Sequence, residues 1–235
     1  MSPATDVVFL LDVDNTLLDN DRIIADLDHH LEQKLGDDNR KRYWKIFESL
    51  RDTLGYADYL GALQDYRLGA MTDSRLLQMS SFLLDYPFSE RLYSGALGAV
   101  AHLAQWGKTV ILSDGDIVFQ PRKIQRSGLW DAVDGNVLIY RHKEKMLEDV
   151  QRHYPASRYV MVDDKLKILH AIKLSLGSRV TTVFPRQGHY ALDARTVGGY
   201  PAADISIDHI GELNGFDFTS LLHLPDREAA QERMA

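Results

Sequence analysis

Residues 7–21 read VVFLLDVDNTLLDND, an apolar run that ends in two aspartates one residue apart, followed by Asn15 and Thr16. Val7, Val8, Phe9, Leu10 and Leu11 are continuously apolar and rich in β-formers, which suits a strand covered on both faces in a parallel sheet. Asp12 then stands at the carboxyl end of the strand, the edge of an open α/β sheet outside which ligands bind. Two carboxylates there repel each other unless a cation or a shared proton intervenes. A turn in which short acidic and amide side chains bond their own backbone accounts for the same residues. Only the rest of the chain decides between a turn and a site.

The rest of the chain repeats the arrangement. TVILSDGD (109–116) and YVMVDD (159–164) are again apolar runs that end in small polar or acidic residues. Parallel strands present the same end to the same crevice, so Asp12, Asp14, Ser113, Asp114, Asp163 and Asp164 are expected to gather there. Four or five carboxylates in one place call for a hard cation, and Mg2+ is the usual partner of carboxylates that also meet a phosphate. Such a cation neutralises an incoming phosphate dianion and lets an aspartate approach phosphorus as a nucleophile. A hydroxyl such as Ser113 and a lysine then hold the phosphoryl oxygens.

Between the first and second of these strands the pattern is helical. Ile24, Leu27, Leu31 and Leu35 fall on one face, and Tyr43, Phe47, Leu50 and Leu54 repeat the spacing. Further helices are expected over about 56–67 and 73–84, broken by Gly69 and stopped before Pro87. From residue 95 helices and strands alternate, with strands in KTVILS, NVLIY, RYVMV, RVTTVF and ADISI and a terminal helix over about 210–222. KEKMLEDVQRHY reads as one helix, and the last ten residues as a helical end or frayed tail. The expectation is an α/β fold: a doubly wound, mainly parallel Rossmann-like sheet from residues 1–18 and 90–235, with an all-helical cap inserted at 19–89.

With 235 residues, 45% of them hydrophobic, the chain can bury a substantial core. Its net charge of −7 argues against a general affinity for nucleic acid or anionic membranes. The absence of cysteine excludes disulfides, thiol nucleophiles and thiolate metal sites. The N-terminus lacks the basic flank and apolar stretch of a secretion signal, and a cytoplasmic protein is expected.

Four motifs together resemble the haloacid-dehalogenase-like superfamily, specifically its phosphatase branch. FLLDVDNT matches the opening D-x-D-x-T motif, VILSD the strand ending in Ser or Thr, RHKEKM the lysine upstream of the last motif, and VMVDDK the paired aspartates. The resemblance covers most of the chain, and the helical stretch after the first motif matches relatives whose cap is inserted there. It implies Asp12 as nucleophile, forming an aspartyl phosphate, and Asp14 as general acid and then general base, with its backbone carbonyl on the metal. Thr16 would fix the loop. Ser113 would bond the phosphate, with backbone N–H donors at Asp114 and Gly115. Asp12, Asp14 and Asp164 would hold Mg2+, with Asp163 binding through water or orienting Asp164. The lysine is Lys143 or Lys145; Lys143 is preferred, because it stands just after the strand and before the helix. Asn15 departs from the glycine of many relatives but tolerates unusual backbone angles.

The implied activity is Mg2+-dependent hydrolysis of a small phosphorylated metabolite. A phosphomutase or phosphotransferase would use the same residues, and a non-catalytic metal-binding regulator would keep the fold. Dehalogenation is less well served, since a leaving halide needs no proton from Asp14. Neither the substrate nor the oligomeric state is legible. His29 and His30 are adjacent on a helix and so face different ways. NRKRYWK, Arg51, Tyr56, Tyr59 and Arg67 read as a solvated basic face with core aromatics, and VGGYP as a turn.

Overall fold

A computed structural model describes residues 5–67 and 75–219. Six strands form one sheet: β1 (Thr5–Leu11), β2 (Lys108–Asp114), β3 (Val137–Tyr140), β4 (Ala156–Val162), β5 (Val180–Pro185) and β6 (Ile205–Ile207). Their order is β3-β2-β1-β4-β5-β6, and every pairing is parallel. This is the strand order of a doubly wound Rossmann-like sheet, whose topological switch lies between β1 and β4. β1 is central, with Leu11 in register with Ile111 on one side and Val162 on the other.

The central position explains the unbroken apolar run. Val7, Phe9 and Leu11 point into one buried apolar cluster, and Val8 and Leu10 into the other, as the two-residue period of a strand requires. The apolar cluster on the first face is continuous with buried residues of α1 (Asn20–Leu35), α2 (Asp37–Leu54), α3 (Tyr59–Arg67), α4 (Arg75–Asp85), α5 (Ala96–Leu103), α6 (Phe119–Arg126) and α7 (Leu129–Ala132). On the second lie α8 (Leu147–His153), α9 (Leu166–Leu176), α10 (Gly188–Leu192) and α11 (Ala194–Gly198).

Helices α1 to α4 all fall between β1 and β2. The buried stripe of α1 is Ile23, Leu27, Leu31 and Leu35, one residue off the Ile24 start read from the sequence. Tyr43 and Phe47 of α2 belong to the same continuous apolar cluster as Phe9 and Leu11. The chain leaves and rejoins the sheet at neighbouring points. The Asp19 N–H donates to Arg91 O at 2.7 Å, the Tyr93 N–H donates to Leu17 O at 3.0 Å, and Leu18 bridges Leu92 antiparallel.

Two expectations change. Over the described part of the expected terminal helix, Ile210–Gly215 form a short 3₁₀ helix and residues 216–218 are irregular, with Phe218 buried against Phe9; residues 220–222 lie outside the described residues. Gly211, Asn214 and Gly215 are weak helix formers, and the aromatic anchors beyond them pull the chain onto the sheet. KEKMLEDVQRHY is not one helix, because a 3₁₀ turn over Lys143–Lys145 precedes α8. VGGYP forms the expected turn at Gly199 and Tyr200, directly after a short helix, α11, that ends at Gly198. Gly69 and the last ten residues lie outside the described residues. Among the described residues no helix is long and apolar enough to cross a membrane.

Leu10 is fully buried at the centre of the sheet. Leu10→Ala is expected to lower stability by about 2–5 kcal/mol. In urea titrations the midpoint should fall with little change in slope.

Candidate active site

The carboxyl ends of β1, β2 and β4 converge with the 3₁₀ turn after β3. Lys143 carries the 3₁₀ turn's one buried side chain, and its ammonium lies 2.5 Å from Asp12 Oδ1 and 2.7 Å from Asp163 Oδ2. It also donates to Leu112 O at 3.2 Å. Lys145 is exposed. The opposite oxygen of Asp12, Oδ2, accepts the Thr16 hydroxyl at 3.2 Å, and Thr16 Oγ1 accepts the Asp164 N–H at 3.0 Å. Thr16 therefore ties the loop after β1 to the loop after β4.

Asp12, Asp163 and Asp164 are all buried, and each offers an oxygen within 4.8 Å of the others. Asp163 Oδ1 accepts the Lys165 N–H at 2.8 Å, and its Oδ2 faces Lys143 as an ion pair without hydrogen-bond geometry. Asp164 differs, since both of its buried oxygens lack a hydrogen-bond partner. An uncompensated buried carboxylate costs several kcal/mol. Burial pushes the Asp164 carboxyl well above the ordinary carboxylate range; Lys165 opposes the shift, and Asp163 and Asp12 add to it. Burial also raises Asp163, against the pull of Lys143. On its own, burial would lower the Lys143 ammonium, but Asp12, Asp163 and Asp114 hold it above the usual lysine value. Three clustered acids, two of them with orphaned oxygens, suit a hard cation with oxygen ligands.

The Asp14 side chain stands apart from this group. Its Oδ1 accepts Lys123 Nζ at 2.6 Å, and its Oδ2 accepts Gln120 Nε2 at 3.1 Å. Gln120 Nε2 also donates to Ser113 Oγ at 2.9 Å, and Lys123 donates to Asn20 Oδ1 at 3.2 Å. Asp14 is thus gripped from α6, while about a quarter of its side chain stays exposed. Ser113 is buried, with its hydroxyl fixed by Gln120. The Gly115 N–H donates to Tyr140 O and is not free for a ligand, contrary to expectation. In a parallel ladder successive residues point to opposite sides, so the Asp114 N–H points away from β3, towards the end of β1. The Asp114 carboxylate accepts the Lys143 N–H at 2.7 Å, and burial, partly offset by Lys143, raises it to about 6.

Asn15 takes the left-handed conformation, φ 62°. Its Oδ1 accepts the N–H groups of Asn20 and Asp21 at 3.0 and 3.1 Å, and its Nδ2 donates to Asp21 Oδ1 at 2.9 Å. Asparagine here caps the first turn of α1, which glycine cannot do. Asp21 in turn accepts the His189 N–H at 2.8 Å, and a side chain at Gly188, φ 69°, would collide with Asn15.

Residues set aside in the sequence mostly serve the helices. Arg40 pairs with Asp28 and Asp37, Lys41 with Asp37, and the Trp44 indole donates to Asp28. His30 stacks on Phe82, and His29 meets Gln33. Tyr59 is buried with its hydroxyl beside Asn20. Reading the sequence missed Gln120, Lys123, Asn20 and Lys165. The one signal for the first two was a polar pair three apart on the face of α6 that also carries Phe119 and Ile124.

No protein-family model and no curated protein sequence matches the chain. Among solved structures, a haloacid dehalogenase-like hydrolase from Burkholderia xenovorans LB400 is 62% identical, with a TM-score of 0.87; the match covers 92% of this chain and 100% of that one. The L-2-haloacid dehalogenase of Xanthobacter autotrophicus, seen with chloropropionic acid covalently bound, has a TM-score of 0.57 at 18% identity over 88% of this chain and 96% of that one. A HAD hydrolase from Bacillus subtilis bound to magnesium has a TM-score of 0.58 at 16% identity over 92% and 98%. The last two share the fold. The chain belongs to the haloacid dehalogenase-like hydrolases.

If Asp164 is an unsatisfied ligand, Asp164→Asn removes its uncompensated charge. The metal-free variant should melt a few degrees above the metal-free parent. Mg2+ at about 100 times its Kd, which should stabilise the parent by about 2.7 kcal/mol, should leave the variant nearly unchanged. Thermal melts with and without EDTA read both effects.

Proposed function

We propose that the protein is a Mg2+-dependent phosphomonoesterase that acts on a small phosphorylated metabolite through an aspartyl-phosphate intermediate. The observation that carries this reading is the division between two kinds of aspartate. Asp12, Asp163 and Asp164 face one another beside Lys143, with two orphaned oxygens on Asp164. Asp14 is held separately and partly exposed. The first group suits a cation and a nucleophile, and the second suits a proton carrier. A bound Mg2+ on Asp12, Asp163 and Asp164 would offset the charge of the phosphate facing the nucleophile. The magnesium on the Bacillus subtilis relative accords with that choice of ion.

In the first step an Asp12 oxygen bonds to phosphorus as the ester P–O bond breaks, and protonated Asp14 gives its proton to the leaving alkoxide. In the second, Asp14 takes a proton from water as the water oxygen bonds to phosphorus and the bond to Asp12 breaks. Lys143 and Thr16 keep the Asp12 carboxylate oriented, and Ser113 with the Asp114 N–H holds phosphoryl oxygens. Gln120 sets Ser113 and Asp14 in one frame. Residues 19–89 would act as a cap that excludes water while the phosphoryl group moves.

Halide displacement is the contrasting chemistry, represented among proteins of the same fold. It needs neither the proton carrier nor three acids for a cation, since halide leaves as a stable anion. With Mg2+, the protein should release phosphate from p-nitrophenyl phosphate and no chloride from L-2-chloropropionate. Chloride release without phosphate release would reverse the assignment, and phosphoryl transfer to an added alcohol in preference to water would make the protein a transferase. Asp12→Asn should abolish phosphate release. Lys123→Met should lower kcat about 10²-fold with little change in KM, because Asp14 loses its anchor while the phosphate site stays intact.

A further inference from the structure

A cleft of about 780 Å³ opens beside the catalytic edge, bounded there by Asp114 and Lys165. Its size suits a metabolite more than a macromolecule. One rim is the contact between the end of α2 and the turn after β3. Gly55, φ 82°, lies so close to the His142 ring that any side chain there would collide with it. A second wall comes from α9, α10 and α11, elements outside the helical insertion.

That wall is cationic and aromatic in a chain whose net charge is −7. It presents Lys165, Lys167 and Arg195, together with Tyr190 and Tyr200. The Lys165 ammonium lies 5.0 Å from the centre of the Tyr190 ring, and Asp164, Asp12 and Asp163 outweigh burial in raising its pKa. Lys165 is therefore spoken for by the acid group. Lys167 and Arg195 are exposed, and among the described residues neither forms an ion pair, whereas Lys173 and Arg186 do. The acids that also line the cleft are Asp114, engaged by the Lys143 N–H, and Glu144, on the His142 side.

We propose that this cleft binds the leaving-group half of the substrate, and that this half carries a second anionic group, carboxylate or phosphate, held by Lys167 and Arg195. The proposal rests on the phosphomonoesterase reading for the identity of the first group. Tyr190 and Tyr200 supply flat, partly apolar walls for the carbon skeleton between the two anions. Arg195 suits either anion, since its planar fork bonds carboxylate and phosphate alike.

Matched esters separate the cases: glycerol 3-phosphate against 3-phosphoglycerate for a carboxylate, and fructose 6-phosphate against fructose 1,6-bisphosphate for a phosphate. With Mg2+, at least one acidic member should exceed its neutral partner about tenfold in kcat/KM. In the Lys167→Ala/Arg195→Ala variant that preference should vanish, while p-nitrophenyl phosphate, which has no second anion, is hydrolysed as by the parent. Equal kcat/KM within both pairs, or a preference that survives the double substitution, overturns the proposal. Calorimetry of the same four esters on Asp12→Asn needs no turnover. Should the parent fail to hydrolyse even the aryl phosphate, the phosphatase reading falls, and the binding preference and its loss in Asp12→Asn/Lys167→Ala/Arg195→Ala still decide whether the cleft selects a second anion.

Discussion

A single buried ammonium between two carboxylates is the interaction on which the rest of this site depends. Lys143 meets Asp12 and Asp163 at 2.5 and 2.7 Å where all three are removed from water. Desolvating three charges is costly, and their mutual attraction recovers the cost only in good geometry. The geometry comes from backbone: β1 and β4 are hydrogen-bonded neighbours, and the 3₁₀ turn after β3 carries the lysine across β2. One ammonium cannot balance three acids, and the remainder falls on Asp164. The protein folds around an electrostatic deficit that a cation can fill.

The parts of this arrangement that strand patterning controls were legible in the sequence. Apolar runs ending in acids at residues 12, 114 and 163 specify parallel strands whose ends meet, and the 3.6-residue spacing after Asp21 specifies helices. Side-chain direction was less accessible. Lys143 and Lys145 differ in the sequence only by a step of two; the 3₁₀ turn sends one inward and the other to solvent. Lys123 was invisible for the opposite reason, since a lysine on a helix reads as solvated charge until Asp14 and Asn20 are seen opposite it. Asn15 read as a tolerated departure from glycine, because its capping of α1 depends on where that helix starts. The 3₁₀ helix at Ile210–Gly215 defeated pattern reading because aromatic packing beyond it decided the path.

Two helices from different parts of the chain reach Asp14. Lys123 of α6 holds the carboxylate directly, and Asn20 at the start of α1 holds Lys123. Asn15, in the loop that bears Asp12 and Asp14, caps that same first turn of α1. The loop, the inserted helices and α6 therefore share one polar network, so a displacement of α1 is transmitted to Asp14 without passing through the cation group.

The backbone bonds of Asp19 to Arg91 and of Tyr93 to Leu17 bear on how such a chain can vary. They pin the two ends of the inserted stretch side by side, so the sheet experiences that stretch as a closed loop. The entropy of closing a loop grows only with the logarithm of its length, about 0.6 kcal/mol for each doubling. Extra length beyond α1 thus adds little closure cost to the strands. Natural variation in length and composition should therefore concentrate there, leaving the acid-bearing strand ends in register.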